Sequence, residues 1–151
     1  ETVSLETELS IVKDYLALEQ MRFEERLKIE LEIEHKTLAC PVPPMMLQTL
    51  VENAVRHGIA RSKQGGEIRV EAVPTEAGMR LTVRNTGPVE ERSSRELGLG
   101  LRNTRERLYH LYAGKATLDM RNDGNMVVCE LFLPHAPALI DRELQEQPAQ
   151  P

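Results

Sequence analysis

Polar and apolar positions change period along this chain, and each change marks an element. Leu5, Leu9, Val12, Leu16, Phe23 and Leu27 recur at steps of three, four and seven, which predicts an amphipathic helix with one dry face over residues 4–27. Ser4 can cap it, and Glu6 and Glu8 suit its positive N-terminal end. Over residues 28–35 the period drops to two. Ile29, Leu31 and Ile33 alternate with Lys28, Glu30, Glu32 and Glu34, the pattern of a half-buried strand with a charged, solvated face. Cys40-Pro41-Val42-Pro43-Pro44 then forces extended backbone and offers a proline at the start of a helix over residues 45–57, which Gly58 can close. Leu47, Leu50, Val51 and Ala54 give that helix a core face, while Thr49, Asn53 and His57 form a polar stripe at four-residue steps.

A basic, glycine-containing loop at 61–66 follows, then strands over 67–73 and 79–84 around a turn at 74–78. Asn85-Thr86-Gly87-Pro88 breaks this hairpin, and a polar loop leads to Gly98-Leu99-Gly100-Leu101 and a helix from about 101 to 112. Residues 115–120 and 126–133 predict a second hairpin around Asn122-Asp123-Gly124. After Pro134 the composition turns to Pro, Gln, Glu and Ala, so 136–151 reads as a short helix or a disordered tail. The order of helices and paired strands points to an α+β fold, a two-layer sandwich whose mixed sheet carries helices on one face.

Composition narrows the chemistry. A chain of 151 residues suits one domain, and 19 Lys and Arg against 24 Asp and Glu give a net charge of −5. That balance argues against a diffuse grip on nucleic acid or anionic lipid, so a phosphate-bearing ligand must be caught locally. With three Tyr, two Phe and no Trp, the chain has little from which to build a base-stacking platform. Cys40 and Cys129 are lone thiols with no metal-ligand spacing, which fits a reducing compartment. No apolar run approaches the roughly 18–20 residues needed to span a bilayer. The chain begins without Met and directly in patterned sequence, as a piece of a longer protein would.

Three places carry candidate chemistry. Gly98-Leu99-Gly100-Leu101-Arg102-Asn103 opens a helix, where glycines let a ligand approach and unpaired N–H groups hold an anion. Glu52 and Asn53 stand side by side in an apolar helix, where burial is costly unless they are paired, solvated or in use. Val83-Arg84-Asn85-Thr86-Gly87 runs from a strand into a polar turn. Taken singly, each also reads as something plain: a helix-entry turn, a Glu52–Arg56 surface pair, an asparagine turn. Walker and Rossmann signatures are absent.

In this order and spacing the three resemble the N, G1 and G2 boxes of the GHKL ATPases, which include gyrase, a heat-shock chaperone and histidine kinases. Tyr15-Leu16-Ala17-Leu18-Glu19-Gln20-Met21-Arg22-Phe23, the stretch from Pro43 to Gly58 (PPMMLQTLVENAVRHG) and the run from Gly98 to Leu108 (GLGLRNTRERL) are similar to the corresponding strings of LytS/YehU-type sensor histidine kinases. The resemblance implies a Bergerat-type domain that binds ATP and Mg²⁺. It gives Asn53 the role of metal ligand, Glu52 that of base or orienting acid, and Arg56 and His57 contacts with the phosphates. Gly98, Leu99, Gly100 and Leu101 would supply backbone beneath the phosphates, with Asn103 following them. Gly87 matches the G1 glycine, and Asn85 stands where the family has an Asp that accepts from adenine. The Asn85 carbonyl can still accept there, and its NH₂ could equally face a guanine O6. Asn125 follows Gly124 where the family more commonly has Gly-Thr, and it is a further nucleotide-contact candidate.

On the same resemblance, residues 1–27 end a dimerisation region, 28–135 form the catalytic domain, and 88–97 form a mobile lid over ATP. The phosphoacceptor histidine lies on an upstream helix, since no NPHFLFN-like string occurs in this chain. The implied partners are that helix in a family dimer and a response regulator, with no nucleic acid. The domain would be cytoplasmic in a protein anchored in the cell membrane. Two alternatives stay open: a hydrolytic GHKL ATPase, in which Glu52 activates water, and an interaction module of the same fold that has lost its nucleotide.

Overall fold

The alternating segments all enter one sheet. In the protein's structure, a computed structural model that describes residues 1–87 and 99–135, β2 (Leu27–Ile33), β4 (Gly66–Pro74), β5 (Gly78–Thr86), β7 (Met126–Pro134) and β6 (Thr117–Asp123) lie side by side in that order. β2 runs parallel to β4, and every other neighbouring pair is antiparallel. Register puts Ile68, Val70, Ala72, Leu81, Val83, Leu118 and Leu131 on one face, and that face is buried under α1 (Leu5–Phe23), α2 (Met46–His57) and α3 (Leu99–Leu111). The α+β two-layer sandwich is therefore as expected. A short ladder between β1 (Val3–Ser4) and β3 (Pro41–Val42) ties the chain start to the segment ahead of α2.

The opposite face alternates charges across strands. Arg69 meets Glu30 at 2.8 Å and Glu67 at 3.3 Å, Arg84 meets Glu71 at 3.4 Å, and Arg121 meets Glu130 at 2.6 Å. The more exposed of these pairs are worth at most about 1 kcal/mol each. Their larger effect is on register, because a one-residue slip would turn the ionic row into the core.

Ser4 caps α1 as expected, its Oγ accepting from Thr7 N at 3.2 Å. The helix stops at Phe23, four residues before the predicted end. Glu24 takes φ 55, a 3-10 turn spans Glu24–Arg26, and Leu27 passes into β2 opposite Gly66. The apolar stripe of α1 joins the same core as the sheet and α2.

The start of α2 also differs from expectation. Met45 is left-handed at φ 67, and Pro44 lies ahead of the helix rather than at its first position. No cap side chain serves it. Instead Glu8, only 1 % exposed, accepts from Gln48 N at 3.3 Å. A carboxylate assigned from sequence to the N-terminus of α1 thus reaches across to the positive end of α2. The end of α2 is as predicted, with Gly58 N donating to Ala54 O at 2.9 Å. Among the described residues no helix is long and apolar enough to cross a membrane.

Burial pushes the Cys129 thiol, ordinarily at 9.0, up to about 12, and burial with nearby Glu19 and Glu52 takes the Tyr15 hydroxyl from 10.0 to about 12. The unfolded chain releases these protons first, so the associated stability is complete below pH 9 and declines as pH rises from 9 towards 12. Denaturant midpoints measured from pH 8 to 11 are expected to fall in that window. A Cys129→Ala variant should lose the part of the slope that begins at pH 9.

Candidate functional site

The end of α2, the end of β5 and the β6–β7 turn meet at one end of the sheet, and glycine makes the meeting possible. A Cβ on Gly58 would lie 2.2 Å from Asn85 Nδ2, 2.8 Å from Ala54 O and 2.9 Å from Thr86 O. A Cβ on Gly87 would lie 3.0 Å from Gly58 Cα and 3.2 Å from Asn85 Nδ2. The two bare backbones therefore touch, with the Asn85 amide between them. Asn85 is a buried strand residue, paired with Ile68 on one side and Val127 on the other. This corrects the expected strand end at Arg84: hydrogen-bonded neighbours on both sides outweigh the turn preference of Asn-Thr-Gly. Nδ2 of Asn85 donates to Thr86 O at 3.3 Å, and Thr86 Oγ1 accepts from Glu67 N at 2.8 Å. Thr86 pairs with Met126, so the exposed Asn125 stands at the same sheet end as Gly87.

On α2, Glu52 and Asn53 are half-buried, while Arg56 and His57 lie exposed in the last turn. Consecutive helix positions point about 100° apart, so Glu52 and Asn53 face different ways. Glu52 Oε1 accepts from Gln48 Nε2 at 3.0 Å, and the charges of Glu52 and Arg56 bear on the Tyr15 hydroxyl of α1. Glu52 thus belongs to the α1 side of α2, and Asn53 lies further round the helix. Thr49, expected in the polar stripe, turns its hydroxyl back to Met45 O at 2.8 Å.

On α3, Leu101 is 2 % exposed and fills the core, so only its backbone is left for a ligand, while Asn103 points to solvent. Gly100 is exposed, Thr104 Oγ1 donates to its carbonyl at 2.9 Å, and among the described residues no atom outside its own helix and chain neighbours lies within 4 Å of where its Cβ would be. Nothing among the described residues requires glycine at this position. Gly100→Ala is accordingly expected to leave the thermal midpoint unchanged or higher, alanine being the better helix former, while ATP affinity by calorimetry falls about tenfold or more if phosphates lie against this turn. Leu99 begins α3; Gly98 and the lid expected over 88–97 lie outside the described residues. Arg107 Nη1 donates to Pro44 O at 2.9 Å and fastens α3 to the start of α2.

Among the described residues no three His, Cys, Asp or Glu side chains gather to hold a metal. Asn53, half-buried on α2, carries an amide oxygen, the kind of hard donor that a divalent cation shared with phosphates accepts. Sequence reasoning missed Gln48, Glu8 and Tyr15. The four-residue spacing from Gln48 to Glu52 was the available signal for the first.

A helix-covered mixed sheet with a glycine-lined end has the architecture of an ATP-binding α+β domain. The chain belongs to the histidine kinase-, DNA gyrase B- and HSP90-like ATPase family, whose sequence profile matches residues 44–137. It is 33% identical over 144 residues to the sensor protein LytS of Staphylococcus saprophyticus, covering 86% of this chain and 24% of that protein. It is 31% identical over 147 residues to the sensor histidine kinase/phosphatase LytS of Staphylococcus aureus, covering 89% of this chain and 25% of that protein. The chain thus spans about a quarter of the length of these relatives. The catalytic domain of histidine kinase ThkA shares the fold, with a TM-score of 0.69 at 19% identity over 89% of this chain and 96% of that one.

Proposed function

We propose that this chain is the catalytic domain of a two-component sensor histidine kinase, which binds Mg–ATP and presents the γ-phosphate to a histidine on a helix outside the chain. The observation that carries this reading is the reach of the LytS similarity. It covers more of the chain than the family match over 44–137, and so takes in part of the segment before residue 44. A resemblance confined to ATP binding would not need that segment.

In this reading the Asn53 amide oxygen holds Mg²⁺, which when bound neutralises phosphate charge. Arg56, His57 and the backbone of Gly98, Leu99, Gly100 and Leu101 receive the phosphates, with Asn103 beside them. Asn85, Gly87 and Asn125 hold the nucleoside end. Glu52 orients the acceptor imidazole, which takes the phosphoryl group and releases ADP. The protein supplies position and charge, because phosphoryl transfer asks little covalent chemistry of it. The phosphoryl group then passes to a response regulator, the kind of partner with which ThkA was crystallised. Residues 1–27 close a dimerisation region, and the complete protein is anchored in the cell membrane.

The test is calorimetry with Mg–ATP, followed by transfer of labelled phosphate from ATP to a purified phosphoacceptor helix added in trans. Saturable binding with transfer supports the reading. Steady hydrolysis without transfer, abolished by Glu52→Ala, would replace it with a water-activating ATPase, and absence of binding would leave an interaction module.

A further inference from the structure

We infer that Gln48 is a positioning residue for Glu52, and that the buried Glu8 of α1 sets Gln48 in turn. The inference rests on the role given to Glu52 above. Two hydrogen bonds through one residue make the link: Gln48 gives its side-chain amide to Glu52 Oε1 at 3.0 Å and its backbone N–H to Glu8 Oε1 at 3.3 Å.

Each bond has a physical reason. α2 begins at a left-handed Met45 whose side chain cannot cap it, so the N–H groups of its first turn need an acceptor from elsewhere. Glu8 supplies one from within the core, at 1 % exposure, where the positive end of α2 favours a negative group. Gln48 is thereby fixed in the first turn, and four residues on, along the same face, its amide reaches Glu52. One carboxylate oxygen of Glu52 is held by the Gln48 amide, and in this reading the other faces the reacting partner. Tyr15 of α1 lies on the same side, close enough for Glu52 to act on its hydroxyl. The aim of the acid is thus referred to α1, the element that leads upstream. A side chain free to swing would seldom present its second oxygen correctly, and a misplacement of about 1 Å costs roughly a hundredfold in rate.

The test uses the 151-residue chain, ATP and the phosphoacceptor helix in trans. Gln48→Met keeps length and helix preference and removes the amide. It should leave the Kd for Mg–ATP within about twofold and lower the transfer rate at least tenfold. Glu8→Gln retains an acceptor oxygen and should restore most of what Glu8→Met loses. In a Glu52→Ala background, Gln48→Met should change nothing further, because the two residues act as a unit. Parallel loss of ATP affinity and transfer, or an additive effect in that background, would overturn the inference in favour of a merely structural role. If the parent transfers no phosphate, the proposed function fails, and the hold on Glu52 is read separately by NMR. The Gln48 side-chain amide signals should shift on Glu52→Ala, and unmoved signals overturn the inference whatever the activity.

Discussion

Gly58→Ala is expected to destabilise the chain by about 1–3 kcal/mol, the usual cost of overpacking, and to weaken ATP binding by more than that loss explains. The backbone of Gly58, at φ −101, is open to other residues, so the cost is steric. The new methyl would meet the Asn85 amide at 2.2 Å and the carbonyl oxygens of Ala54 and Thr86 at 2.8 and 2.9 Å. Asn85 can swing its amide aside. The carbonyls belong to α2 and β5, and can yield only if the helix lifts from the strand. Both responses disturb the contact that sets Asn85 beside Gly87, where the base is proposed to bind. In a chain of this size each kcal/mol lowers the thermal midpoint by about 2–4 °C. Adding Asn85→Ala should restore the part of the midpoint lost to the amide and leave the part lost to the carbonyls. A Gly58→Ala variant that melts and binds ATP as the parent does would show that this contact does not shape the site.

The sequence carried α2, both hairpins and the one-sided burial because each is written in local period and turn chemistry: the core face of α2 closed by Gly58, and the turn at Gly124, where φ is 62. It did not carry strand order. Alternation in β2 shows that one face is dry, but the parallel ladder of Leu27 onto Gly66 depends on a partner nearly forty residues away. Asn85 was misplaced for the same reason, a local turn signal overruled by pairing on both sides. Glu8 was legible as an acid near a helix start, but the helix it serves is another one. The box residues stood out because costly groups, a carboxylate and an amide on an apolar helix, need a reason to be there. Their supports, Gln48 and Tyr15, are ordinary residue types whose meaning comes from packing.

Asn53→Ala should separate nucleotide binding from metal binding. Asn53 is half-buried on α2 and lies outside the hydrophobic core, and alanine is the better helix former, so the thermal midpoint should hold or rise slightly. If its amide oxygen is a protein ligand of Mg²⁺, the effect on Mg–ATP is large, because this cation keeps its waters and takes few protein ligands. Affinity for Mg–ATP is expected to fall about a hundredfold, roughly 2.7 kcal/mol. Affinity for ATP in excess chelator should change little, since the contacts proposed for the base and the phosphate backbone remain. Asn53→Asp retains an oxygen ligand and adds a charge facing the phosphates, so it should keep its metal dependence while binding more weakly than the parent. Equal losses with and without metal would remove Asn53 from the metal and make it a direct phosphate contact, leaving the phosphates themselves to carry Mg²⁺ into the site.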